Sequence, residues 1–194
     1  TARLWETATA RPIGPPLRGA RTIALSGDGK FVMTANWDDR LARLWESAPA
    51  QSVSFVHQHF VHAVALNPDG TIALTGNRNS QAQLWETAST KPIGLPQSFQ
   101  RSVKHQYGVR AVALSGDGKV AIAVSGDNTA RPWDTATGKP TGSPLQHEDQ
   151  VVGVAVNGDG SIALTASFDK TSRLWETSTG KPIGIPFRHK YPLW

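Results

Sequence analysis

Residues 147–187 read HEDQVVGVAVNGDGSIALTASFDKTSRLWETSTGKPIGIPF, and the rest of the chain is built from copies of this stretch. Trp175 has counterparts at Trp5, Trp45, Trp85 and Trp133, at separations of 40, 40, 48 and 42 residues. Asp159-Gly160 has counterparts at Asp28-Gly29, Asp69-Gly70 and Asp117-Gly118. A period of about 40–45 residues is the spacing of a propeller blade rather than of a helical solenoid.

Within one copy, VVGVAV (151–156) and SIALTA (161–166) flank N-G-D-G, and SRLW (172–175) follows a second polar turn. Asp-Gly between apolar runs is a strong hairpin signal, because the tight turn needs positive φ. KPIGIPF (181–187) holds two prolines and a glycine, which suits an outer edge strand and no helix. Each copy thus reads as a four-stranded antiparallel meander, strands a to d. Such a sheet cannot cover its own faces and must stack on its neighbours.

Composition agrees with an all-β stack. The 194 residues are 39% hydrophobic and include 18 glycines, 13 prolines and seven tryptophans. No apolar run approaches the roughly 18 residues of a membrane span. The chain has no cysteine, which rules out disulfides and thiolate metal sites and fits a reducing, cytoplasmic compartment. Net charge is +5, yet the cations recur once per repeat (Arg3, Arg43, Arg131 and Arg173 each two residues before tryptophan), so nucleic acid is not the expected partner.

The copies differ in instructive ways. Residues 1–18 supply only strands c and d. The four full copies are expected at about 20–56, 61–99, 109–145 and 151–187, with a tail at 188–194, all as one domain. The first has Arg18-Gly19 where others carry histidine, and its b–c turn, N-W-D-D-R (36–40), holds one extra residue. After the second, 96–108 is about six residues longer than its equivalents and is expected to project as a loop. The third has Ala123 in place of a hydroxyl, and Pro132 removes a donor from strand c, so a weakened ladder is expected there.

The spaced pattern His, V-x-x-V-A-x-S-x-D-G, L-T-x-S-x-D-x-T-x-R-L-W, then a hairpin resembles the WD40 repeat over nearly the whole chain. Glutamate follows tryptophan at Glu6, Glu46, Glu86 and Glu176, and only Asp134 gives W-D. The T-G-K-P-I-G-x-P style looks like the arrays appended to bacterial signalling proteins. The resemblance implies an all-β propeller or partial propeller, four full blades plus an N-terminal c–d pair. It also implies a hydrogen-bonded tetrad in each blade: His147, Thr165, Asp169 and Trp175 in the fourth; His57, Thr75, Asn79 and Trp85 in the second. The third keeps His105, Asp127 and Trp133, and the first keeps Thr34, Asp39 and Trp45.

His147, Asp169 and Thr165 could be taken for a base, acid and nucleophile. A catalytic set occurs once, whereas this one is repeated per blade, so its expected work is to satisfy polar groups between strands and no catalysis is expected. His57, His59 and His62 cluster, but no carboxylate or cysteine is spaced to complete a metal set. The Gly-Asp-Gly turns lack the consecutive Lys-Ser/Thr of a phosphate loop. No cofactor or metal is expected.

The resemblance places partner binding on the face carrying the d–a and b–c loops. Mapped onto this chain the residues are Phe60 and His62, Gly108 and Arg110, and Gln150 and Val152, together with Arg78, Gly126, Phe168 and Trp37-Asp38. Arginine and aromatic side chains are the types that anchor interfaces, which singles out Trp37, Phe60, His62, Arg78, Arg110 and Phe168. The expected function is a non-catalytic scaffold for a protein or peptide, a sensor or adaptor module of a larger bacterial signalling protein. The alternatives are a polyanion or lipid-head-group binder using Arg78, Arg101, Lys104 and Arg110, and an architectural piece that self-associates to complete a propeller. Closure stays open between an excised part of a larger array, a ring completed between chains and an open curved stack.

Overall fold

The structure is a computed structural model and describes residues 2–6, 8–17, 20–36, 38, 40–46, 52–98 and 108–193. Every regular element among them is a strand. β1 (Ala2–Glu6) and β2 (Arg11–Leu17) form a two-stranded pair. Four antiparallel meanders follow, and we number them as blades. Blade 1 is β3 (Thr22–Leu25), β4 (Phe31–Ala35), β5 (Leu41–Glu46) and β6 (Ser52–Val56). Blade 2 is β7 (Val61–Leu66), β8 (Ile72–Asn77), β9 (Gln81–Glu86) and β10 (Pro92–Ser98). Blade 3 is β11 (Val109–Leu114), β12 (Val120–Ser125), β13 (Thr129–Asp134) and β14 (Leu145–Gln146). Blade 4 is β15 (Val151–Val156), β16 (Ile162–Ser167), β17 (Thr171–Glu176) and β18 (Pro182–Arg188).

The hairpins follow their turn chemistry. In the a–b turn of blade 4, Asp159 Oδ1 accepts from the Ser161 N–H at 3.0 Å and its hydroxyl at 2.6 Å. These bonds hold the carboxyl below its ordinary range. Gly160, at φ +77°, makes the reversal and also lies against blade 3: a Cβ there would come within 2.5 Å of Val120 Cγ2. One residue type therefore serves both the turn and the stacking. The b–c turn of blade 1 is one residue longer than that of blade 2, since Ala35 pairs with Ala42 whereas Gly76 pairs with Ala82.

The outer strands are irregular where proline and glycine demand it. In the first pair, Trp5 faces Pro12 and Leu4 faces Ile13, but Ala2 faces Leu17, so the ladder slips at Gly14, whose φ is +68°. In blade 3 the outer ladder is reduced to Thr129–Gln146 and Ala130–Leu145, with an isolated bridge from Trp133 to Pro140. The Pro132 carbonyl accepts from the Thr141 N–H at 2.9 Å, so the donor that proline lacks is missing on that same outer side. The weakened ladder expected from Pro132 sits at this point.

Among the described residues, three hydrophobic cores lie between consecutive blades. Met33, Leu44 and Phe55 of blade 1 meet Val61, Val64 and Trp85 of blade 2. Leu74 and Leu84 meet Val109 and Trp133, and Ile122, Val124 and Leu145 meet Val151 and Trp175. Blades 2 and 3 so present one face to the blade before and one to the blade after. Approach is close at Gly76, where a Cβ would fall 2.3 Å from Val109 Cγ1. The inner strands β3, β7, β11 and β15 pack in that order, which brings their first residues together at one rim.

Candidate functional site

In blade 4 the predicted tetrad residues form one hydrogen-bonded chain. The Trp175 indole N–H donates to Thr165 Oγ1 at 2.7 Å. Thr165 Oγ1 lies 2.6 Å from His147 Nε2, and His147 Nδ1 lies 2.8 Å from Asp169 Oδ2. A carboxylate only accepts, so Nδ1 carries the proton and Nε2 accepts from the threonine hydroxyl. Every donor then has an acceptor with the imidazole neutral. Burial pushes the His147 pKa below its ordinary value, against the pull of Asp169. Burial would raise Asp169, but bonds from the Thr171 hydroxyl, His147 and the Glu148 N–H outweigh it and bring its pKa to about 2.

Sequence reasoning did not assign the remaining partners of Asp169. Oδ1 accepts from the Thr171 N–H at 2.9 Å and its hydroxyl at 2.6 Å, and Arg173 Nη2 stands 3.5 Å from Oδ2. Blade 3 repeats this: Asp127 accepts from Thr129 N–H and hydroxyl at 3.1 and 2.6 Å and pairs with Arg131 at 3.1 Å. The signal was the spacing D-x-T-x-R, which brings carboxylate, hydroxyl and guanidinium to one side of the turn. The carboxylates after tryptophan do separate work in the c–d turn, where Thr179 donates to Glu176 at 2.6 Å and Thr137 to Asp134 at 2.7 Å. Glutamate and aspartate both reach, so either serves after tryptophan.

Blade 2 brings only part of its set together. Trp85 Nε1 donates to Thr75 Oγ1 at 2.9 Å, and the His57 ring packs edge-on against Trp85 at 5.1 Å. His57 Nε2 is buried with no hydrogen-bond partner among the described residues. The turn is held by Asn77, whose Oδ1 accepts from the N–H groups of Asn79 and Gln81, so Asn79 does not take the place of Asp169. Beside His57 lies a cavity of about 220 Å³ lined in part by Thr75, Asn77, Gln81 and Gln83. Burial lowers the His57 pKa to about 4. In blade 1, Trp45 Nε1 donates to Thr34 Oγ1 at 2.9 Å. Asp39 and His105 lie outside the described residues, as do Trp37, Arg101 and Lys104. Among the described residues no group of three or more His, Asp or Glu side chains is arranged to hold a metal.

The rim formed by the d–a loops and b–c turns is tied together by backbone bonds, Arg78 N–H to the Phe60 carbonyl and Phe168 N–H to the Gln150 carbonyl, both 2.9 Å. Just inside it, blades 2, 3 and 4 each carry a β-bulge. Val61 faces Asn77 and Ala63 faces Gly76, which leaves His62 as the extra residue; Arg110 and Val152 are its equivalents. The Arg110 guanidinium lies 5.4 Å from the Phe168 ring centroid, across the blade 3–4 boundary, and Arg40 lies 5.7 Å from Phe60. Phe60, His62, Arg110 and Phe168 are half-buried and Arg78 is exposed. Gly108 and Gln150 face inward instead. A Cβ on Gly108 would stand 2.2 Å from the Asn77 carbonyl oxygen, and Gln150 is buried, so neither is available to a partner.

No helix among the described residues is long and apolar enough to cross a membrane. The WD domain, G-beta repeat family matches residues 50–86, 97–134 and 138–176, more than half of the chain. A 64-residue stretch is 27% identical to the small ribosomal subunit protein RACK1 of Neurospora crassa, covering 32% of this chain and 20% of that protein. By its repeats, its blades and this match, the chain belongs to the WD40 repeat family.

Proposed function

We propose that the chain is a non-catalytic scaffold that docks a protein or peptide on the rim carrying Phe60, His62, Arg78, Arg110 and Phe168. Its setting would be a sensor or adaptor module of a larger bacterial signalling protein. The observation that carries this reading is the contrast between two sets of side chains. The His–Asp–Thr set is closed to substrate, with Thr165 0% and His147 2% exposed and their polar atoms already engaged. The arginine and aromatic groups of three blades meet at the accessible rim. The test is a random-peptide display library panned on the intact chain. The double variant Phe60→Ala, Phe168→Ala is expected to lose at least tenfold in affinity for the selected peptides, with its melting temperature held. Undiminished binding would move the site off this rim.

A second reading, self-association of two copies, is favoured by a different observation. Leu164 is 40% exposed, whereas its equivalents Leu74 and Ile122 are 0% exposed, and Ile23 is 52% exposed against 7% for its equivalent Val64. These are the two complementary halves of the interface that recurs between the blades, which makes a second copy a fitting cover. Light scattering is expected to give a mass above one chain that falls to one chain in Leu164→Asp. A single-chain mass at all concentrations would remove this reading.

A further inference from the structure

The a–b turns of blades 2 and 4 are built alike around an asparagine. Asn67 Oδ1 accepts the Ile72 N–H at 2.8 Å, and Asn67 Nδ2 donates to Thr71 Oγ1 at 3.1 Å. Asn157 repeats both bonds: Oδ1 accepts the Ile162 N–H at 3.0 Å, and Nδ2 donates to Ser161 Oγ at 3.0 Å. In blades 1 and 3 the position is serine, and the hydroxyls of Ser26 and Ser115 accept the N–H groups of Phe31 and Val120. What separates the two asparagines is the residue that follows, Pro68 after Asn67 and Gly158 after Asn157.

That difference decides the chemistry open to each. A proline nitrogen carries no proton to lose, whereas Gly158 has an N–H, no side chain, and nothing within 4 Å of where a Cβ would stand. No acceptor among the described residues takes that N–H, and both Asn157 and Gly158 are exposed. The Gly158 nitrogen is tethered one residue from Asn157 Cγ, so closing a small ring between them costs little entropy. The Ile162 N–H already bonds Oδ1, the atom on which negative charge develops when Cγ is attacked. The remaining asparagines, Asn36, Asn77, Asn79 and Asn128, precede Trp37, Arg78, Ser80 and Thr129, all of which carry a Cβ beside the nitrogen that would attack. Asn77 is in addition buried, with Oδ1 shared by two N–H groups.

We infer that Asn157 is a site of spontaneous covalent modification, at which the side-chain amide is lost as ammonia and the turn is left as a mixture of aspartate and isoaspartate. The Gly158 nitrogen gives its proton to water and attacks Asn157 Cγ, forming a C–N bond. The Cγ–Nδ2 bond then breaks, and Nδ2 leaves as ammonia after taking up a proton from water. Water opens the cyclic imide at Cγ to give aspartate, or at the main-chain carbonyl to give isoaspartate. Water is the only co-reactant, and nothing is oxidised or reduced. Either product disturbs the contact with blade 3. A carboxylate oxygen replaces Nδ2 and faces Ser161 Oγ, whose proton already goes to Asp159 Oδ1 at 2.6 Å, so a donor–acceptor pair becomes two acceptors beside a second carboxylate. Isoaspartate also adds a carbon to the main chain just before Gly158. The Gly158 carbonyl accepts the Asp117 N–H of blade 3 at 2.8 Å, and a Cβ on Gly116 would stand 3.0 Å from Gly158 Cα, so the lengthened turn loosens this boundary as the molecule ages.

The test holds the intact chain at pH 8 and 37 °C for several weeks, with peptide mapping by mass spectrometry and isoaspartate counted by enzymatic methyl transfer. Conversion is expected at Asn157 at least tenfold faster than at any other asparagine, and the Asp117 amide is expected to exchange faster in proportion to the isoaspartate formed. Gly158 does not take positive φ, so proline fits the turn position that Pro68 fills in blade 2. Gly158→Pro should therefore melt like the parent and leave Asn157 unconverted. Gly158→Ala, which keeps the N–H and adds only a methyl group, should slow the reaction several-fold. Faster conversion at another asparagine, or equal conversion of Asn157 in both variants and the parent, would overturn the inference. So would a chain in which Asn157 stays intact while the free peptide of residues 151–167 converts, since the two bonds to the side chain would then hold it out of reach.

Discussion

Asp169→Ala is expected to destabilise blade 4 by about 2–4 kcal/mol, one of the two largest effects predicted for this chain. The carboxylate accepts from the Thr171 N–H and hydroxyl, the Glu148 N–H and His147, with Arg173 close by. Alanine removes every one of those acceptor positions, and the donors of His147 and Thr171 are too enclosed to find water freely. The loss should lower the melting temperature by roughly 5–15 °C for a chain of this size. It should also appear in hydrogen exchange as earlier opening of β15 to β18, because in a stack of blades stability is shared between neighbours and not spread evenly. Asp169→Asn should recover only part of the loss, because an amide offers one acceptor oxygen where the carboxylate uses both; in blade 2, with Asn79 at the corresponding position, the turn is held by Asn77 instead. An Asp169→Ala chain that melts like the parent and keeps the same exchange pattern in blade 4 would show that the network adds nothing to stability.

Much of this architecture is legible in the sequence because its causes are local. Asp-Gly turns, alternating apolar runs and a tryptophan every 40 or so residues specify hairpins within a dozen residues of each signal, and Asp159 acts within its own turn. Pro132 is equally local, since a missing donor weakens the strand beside it. What could not be read is what depends on register across the stack. The bulges that single out His62 and Arg110 leave no composition signature, because the extra residue is defined only by what stands opposite it. The place of Asn77 in blade 2 escaped for a related reason. The repeat template assigns the turn to position 79, but the side chain two residues earlier reaches the same N–H groups first. Gly108 and Gln150 show the limit of carrying a face over by position: both sit where contacts were expected, and packing against the adjacent blade turns them inward.

Acid should unfold the chain in two steps, with the first controlled by histidine. Burial holds the His57 pKa at about 4, against 6.5 for the free side chain. Above pH 6.5 the imidazole is neutral in both folded and unfolded chains, and its contribution is constant. Between 6.5 and 4 the unfolded chain takes up a proton that the folded chain refuses, so stability falls as pH falls. Below 4 both states are protonated and the loss is complete. The shift corresponds to about 2–3 kcal/mol between pH 7.5 and pH 4.5. His147, also lowered by burial, adds in the same direction. The carboxylate step comes later. Asp169, at about 2 in the folded chain against 3.8, keeps its full contribution above pH 4 and loses it as pH falls toward 2. Urea melts at pH 7.5, 5.5 and 4.5 check the order. His57→Gln is expected to flatten the profile between 7.5 and 4.5 by about 2 kcal/mol and to leave the steeper fall below pH 4 unchanged. A profile in His57→Gln that matches the parent across that range would mean that the imidazole beside the 220 Å³ cavity is hydrated well enough to ionise at its ordinary pH.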